Sequence, residues 1–189
     1  KTLKESGVDS DTTIYVKDLG PQINWRLTYV IEYLGPLIIA TYFFIKLGPK
    51  NANFTQIVGF AMSTIHFTKR IIESLYVHIF SNNTMPLINL FKNCLYYWGI
   101  YGVACGYSLF RSNYQEPLYT PVIRGLLLFL FFVAEYKNMK CHLILKRLKE
   151  ENNGEKGIPS GDGFELVSCA NYFWEILAWI SFSIFVNLP

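Results

Sequence analysis

Residues 54–80 read FTQIVGFAMSTIHFTKRIIESLYVHIF. The run is long enough for a helix to cross the hydrocarbon core of a bilayer, roughly 30 Å thick, which takes about 20 residues. Yet it carries His66, Lys69, Arg70, Glu73 and His78. An ionisable side chain near the bilayer centre costs at least about 2.5 to 3.5 kcal/mol on insertion scales, so such groups must face one another or a wet cavity. A helix of this kind predicts partner helices with polar faces of their own.

The chain supplies them. Trp25 to Leu47, Leu90 to Phe110, Val122 to Leu145 and Phe164 to Leu188 are similarly long and apolar. The first carries Glu32, the third Glu135, Asn138 and His142, and the last Asn171 and Glu175. With Phe54 to Phe80 they predict an all-α, polytopic transmembrane helix bundle of about five spans. Arg26, Lys46 and Lys92 sit where their heads can snorkel to the interface.

Composition agrees. The chain has 189 residues, 51% of them hydrophobic and 17% aromatic, and its charged share of 16% compares with about a quarter in soluble domains. Mean hydropathy is +0.23. The net charge of +3, from 17 Lys and Arg against 14 Asp and Glu, is too small to imply a nucleic-acid partner. Cys94, Cys105, Cys141 and Cys169 form no CxxC pair, which argues against a zinc site or disulfide framework. Neither a Rossmann GxGxxG nor a P-loop pattern is present, so a nucleotide would need another scaffold.

Basic residues divide unevenly between the connections. Lys1, Lys4, Lys17, Lys92, Lys146, Arg147, Lys149 and Lys156 fall on one side, and Lys46, Lys50, Arg111 and Arg124 on the other. The positive-inside rule places the N-terminus in the cytosol. Residues 1–20 are polar, with no apolar stretch suited to a cleavable signal peptide.

Three constellations carry chemical content. His66, Lys69, Arg70 and Glu73, spaced by three and four residues, stack on one helix side. They read either as a structural ion-pair patch or as a cation held where substrate charge develops. Glu135, Asn138, His142, Lys146 and Lys149 descend one face toward the cytosolic loop. That stripe suits interhelical hydrogen bonding with a snorkelling basic end, or an anion-binding groove for phosphates or a nucleotide. Asn171 and Glu175 share a face, with Tyr172 alongside.

The stretches DLGPQINW (Asp18 to Trp25), EYLGPL (Glu32 to Leu37), HFTKRIIESLYVHIFS (His66 to Ser81), TMPLINLFKNCLYYWG (Thr84 to Gly99) and LVSCANYFWE (Leu166 to Glu175) closely resemble the very-long-chain trans-2-enoyl-CoA reductases, in the same order through almost the whole chain. These belong to the steroid 5-alpha-reductase superfamily. The resemblance implies a multi-pass membrane enzyme of the endoplasmic reticulum. It would reduce long-chain and very-long-chain trans-2-enoyl-CoA to saturated acyl-CoA with NADPH, the last step of fatty-acid elongation, beside other elongation components.

Residue by residue, the resemblance assigns catalysis to Lys69 in HFTKR and Tyr172 in SCANY. The superfamily's nucleotide motif falls on Asn138, His142, Leu145 and Leu148, with Lys149 replacing its final Arg. That change keeps the charge but loses the bidentate fork. Asn171 and Glu175 would complete the cofactor site. Glu32 matches a carboxylate lining the superfamily's pocket, and His66, Arg70 and Glu73 are assigned to the substrate pocket. Phe67 stands where steroid-reducing relatives have a catalytic Tyr, and a phenyl ring has no proton to give. The family also has a ubiquitin-like domain, of which DTTIYVKDLG resembles the last strand, so residues 1–20 are expected to be its end plus linker. Residues 21–189 would be the membrane-embedded reductase domain, with the family's C-terminal basic tail lying beyond. The rivals are a transporter with an intramembrane ion relay and a noncatalytic scaffold related to the reductases.

Overall fold

The computed structural model describes residues 13, 15, 17–152 and 157–188. The expected end of a ubiquitin-like domain lies largely outside the described residues. A short strand, β1 (Gln22–Asn24), leads directly into helix α1 (Trp25–Leu47). Next come α2 (Phe54–Tyr76), strand β2 (Thr84–Pro86), α3 (Leu87–Cys94), a π-helical stretch over Leu95–Cys105, a single turn α4 (Gly106–Leu109), α5 (Pro121–Glu151) and α6 (Ala170–Phe185). The architecture is all-α, with one antiparallel ladder pairing Ile23 with Met85.

Local sequence sets the boundaries. Asn24 caps α1 by accepting from the Arg26 and Leu27 amides. Asn53 and Gln56 form a reciprocal capping box at the start of α2. Thr120 caps α5, whose first residue, Pro121, has no amide to leave unbonded. α6 begins later than the expected Phe164, because Gly161, Asp162 and Gly163 all adopt positive φ and turn the chain first. That turn is tied down where Lys137 Nζ donates to Asp162 Oδ1 at 2.6 Å and Trp174 Nε1 donates to the Asp162 carbonyl at 2.7 Å.

α1 packs on α2 and on the π-helical stretch, and α5 packs along α6. Met62, Leu109, Phe131, Phe182 and Phe185 form the apolar core. The polarity is inverted relative to a water-soluble bundle. Glu32, His66, Arg70, Glu73, Glu135, Asn138 and His142 are buried, while Ile176, Ile180 and Ile184 recur every fourth residue on the exposed face of α6. Such an outer surface suits lipid. Among the described residues, α1 alone is both long and apolar enough to cross a membrane by composition. In α2, Arg70 and Glu73 turn inward, and in α5 Glu135 does.

Candidate functional site

Two buried polar networks run between α2, α5 and α6. In the first, Glu135 Oε1 lies 2.7 Å from His66 Nδ1, and Glu135 Oε2 lies 2.7 Å from Lys69 Nζ. Lys69 also donates to Asn138 Oδ1 at 2.6 Å. Asn138 Nδ2 in turn donates to the Asn171 carbonyl at 2.8 Å and reaches Glu175 Oε2 at 3.5 Å. The amide thus uses both ends, one on α2 and one on the first turn of α6.

In the second, Glu73 Oε2 accepts from Arg70 at 2.9 Å and lies 3.0 Å from His142 Nδ1. Arg70 Nη2 donates to the Tyr33 hydroxyl at 2.9 Å. Buried charges persist only when paired and hydrogen-bonded, and here each carboxylate has a cationic or imidazole neighbour. On α1, Glu32 accepts from Asn93 Nδ2 at 2.6 Å.

A cavity of about 660 Å³ lies at the end of the bundle where α2 and α5 finish and α6 begins. Its volume falls within the roughly 300–1,000 Å³ of small-molecule sites. Glu32, Arg70, His142, Lys149, Asn171, Tyr172 and Glu175 line it. His66, Lys69, Glu73 and Asn138 are not in the lining; they form the layer beneath. Tyr172 is 61% exposed, and among the described residues it makes no hydrogen bond or ion pair with Lys69. Lys149 donates to the Ile79 carbonyl at 2.6 Å and Lys146 to the Tyr76 carbonyl at 3.2 Å, capping the end of α2 with cations.

Sequence reasoning missed Tyr29, Tyr33, Asn93 and Tyr97, which also line the cavity. Tyr29 and Tyr33 are one helical turn apart and flank Glu32, a spacing that could have drawn attention to them. Phe67 is not in the lining. It is buried against His66, Tyr101 and Trp179.

The sequence profile of the family described as 3-oxo-5-alpha-steroid 4-dehydrogenase matches residues 83–189. The chain belongs to this family. Within the 3-oxo-5-alpha-steroid 4-dehydrogenase family it is similar to very-long-chain enoyl-CoA reductase of Dictyostelium discoideum, at 44% identity over 187 residues, covering 94% of this chain and 60% of that protein. It is 38% identical to the Caenorhabditis elegans protein named "Probable very-long-chain enoyl-CoA reductase art-1", covering 99% of this chain and 66% of that one. Human trans-2,3-enoyl-CoA reductase-like protein is 31% identical, with 97% and 54% covered. The chain therefore spans roughly three fifths of the length of such relatives.

Proposed function

We propose that this chain carries the catalytic core of an NADPH-dependent enoyl-CoA reductase. It would reduce long-chain and very-long-chain trans-2-enoyl-CoA to saturated acyl-CoA as the last step of fatty-acid elongation. The observation that carries the reading is the 660 Å³ cavity, in which Tyr172, Asn171 and Glu175 meet Arg70, His142 and Lys149 over a floor of buried ion pairs. The similarity to enoyl-CoA reductases supports it. So does the buried phenyl ring of Phe67, which cannot supply a proton as a tyrosine would.

The cavity's donors fit a dinucleotide. Lys146, Lys149 and His142 offer cationic and imidazole donors for phosphates, and Asn171 and Glu175 offer amide and carboxylate partners for a carboxamide. NADPH supplies the hydride. Tyr172 is the proton donor to the substrate's α carbon, and its exposed position in the cavity lets the hydroxyl meet a ligand. Lys69 acts at one remove as a positioning residue. It fixes Asn138, which holds the Asn171 carbonyl and so the turn bearing Tyr172.

The setting proposed is the endoplasmic reticulum membrane, crossed several times with the N-terminus cytosolic, beside other elongation components. The test is NADPH oxidation by the full-length protein in detergent or liposomes, with and without a long-chain trans-2-enoyl-CoA. Substrate-dependent oxidation is expected. Ion flux across liposomes without NADPH binding would instead favour a transporter.

A further inference from the structure

Arg70 and Tyr33 form a unit that the assignments above leave without a task. Arg70 Nη2 donates to the Tyr33 hydroxyl at 2.9 Å, and the guanidinium carbon lies 5.1 Å from the Tyr33 ring centroid. Both side chains line the cavity, although Tyr33 is only 2% exposed and Arg70 only 7%. A phenol that accepts from a guanidinium still has its own proton to donate. Arg70 Nε is buried with no hydrogen-bond partner, and Glu175 Oε1 lies 3.9 Å from it. Buried N–H donors are nearly always paired, so an unpaired one beside a cavity points to a ligand.

The backbone around this unit is shaped to hold it. Pro36 removes the amide that would bond the Glu32 carbonyl in a regular helix. At the adjacent residue, the Trp98 indole donates to the Ile31 carbonyl at 3.2 Å. The same indole packs so close to Gly35 that a Cβ there would meet Trp98 Nε1 at 1.9 Å. Trp98 and Tyr97 both come from the π-helical stretch, a rare backbone that recurs at functional sites. Tyr97 meets Tyr33 edge-on with ring centroids 5.4 Å apart.

We propose that Tyr33, backed by Arg70, is the binding site for the thioester carbonyl oxygen of the enoyl substrate. This deepens the reductase reading and rests on it. Hydride addition at the β carbon forms a C–H bond and moves the alkene π pair toward the thioester, leaving negative charge on its oxygen as an enolate. The Tyr33 O–H donates a hydrogen bond to that oxygen without transferring its proton, and the Arg70 charge behind the phenol strengthens the bond. The enolate then collapses as the α carbon takes a proton from Tyr172, which recovers one from water. The products are a saturated thioester and NADP+.

The test uses full-length protein and Tyr33→Phe, which keeps the ring and the guanidinium packed over it while removing the hydroxyl and the hydrogen bond it accepts from Arg70. Loss of one oxyanion donor typically lowers kcat by about 10²- to 10³-fold, and NADPH affinity is expected to change little. A second readout is the Raman carbonyl stretch of trans-2-enoyl-CoA bound in the presence of NADP+. It is expected at lower wavenumber than in water for the wild type and Tyr172→Phe, with the shift lost in Tyr33→Phe. If Tyr33→Phe does not fold, a fluorinated tyrosine at position 33 replaces it. Its more acidic hydroxyl is expected to deepen the shift. An unshifted wild-type carbonyl, unchanged kcat in Tyr33→Phe, or an unaltered stretch with the fluorinated residue overturns the site while leaving the reductase reading intact. A wild-type protein that oxidises no NADPH with enoyl-CoA overturns both.

Discussion

The Lys69 ammonium on α2 donates a 2.6 Å hydrogen bond to the side-chain oxygen of Asn138 on α5. Through the other end of that amide, the same contact reaches the first turn of α6. Three helices are thereby tied at one buried side chain beneath the cavity.

Asn138→Ala is expected to destabilise the fold as well as the site. Asn138 is 1% exposed, and its loss removes the tie to the Asn171 carbonyl and leaves one Lys69 donor direction unsatisfied. Stranding buried polar groups costs about 1–3 kcal/mol each. Thermal melting in detergent micelles should show a lowered Tm, whereas His142→Ala, at a residue that lines the cavity, should lower NADPH affinity more than Tm.

Gly35→Ala tests the close approach of α1 to the π-helical stretch. A methyl group 1.9 Å from the Trp98 ring cannot be accommodated without moving a rigid indole. Overpacking of this kind typically costs about 1–3 kcal/mol. The variant should melt earlier and lose activity beyond what its folded fraction explains, since Tyr33 and Tyr97 flank the contact. Restored stability in a Gly35→Ala, Trp98→Phe pair would locate the clash.

Glu116, in the connection before α5, gives a pH signature. Burial alone would raise its carboxyl pKa, but hydrogen bonds from Thr55 and Arg124 hold it below the usual glutamate value. A folded-state pKa depressed below the unfolded one contributes stability above the unfolded value, about 4.3, and loses it as pH falls through the folded value. The Tm of wild type should therefore exceed that of Glu116→Gln near neutrality, and the gap should close in acid. A gap that widened on acidification would show that the charge is not what Thr55 and Arg124 stabilise.

Much of this was legible in the sequence. The expected span Trp25 to Leu47 coincides with α1, because Asn24 and Gly48 bracket a largely apolar run. The buried stripe from His66 to Glu73 was visible from spacing, since i, i+3 and i+4 positions share a helix face whatever surrounds them. The partner across each helix was not. The resemblance names Lys69 and Tyr172 together without saying what each touches, and in the structure Lys69 pairs with Glu135 and Asn138. Tyr33 and Tyr97 went unremarked because aromatic residues in apolar helices ordinarily signal core or interface. The π-helical stretch at Leu95–Cys105, which packs against α1, leaves no mark in its composition.

The most direct measurement is turnover of Tyr172→Phe in the full-length protein, read as NADPH oxidation with a long-chain trans-2-enoyl-CoA beside NADPH affinity and Tm. Tyr172 is largely exposed to the cavity, and among the described residues its hydroxyl makes no hydrogen bond, so removing it should leave fold and cofactor binding intact. General acid catalysis is worth about 10²- to 10⁴-fold, and turnover should fall by that factor with affinity and Tm unchanged. Turnover near that of the wild type would contradict the assignment of Tyr172 as the acid.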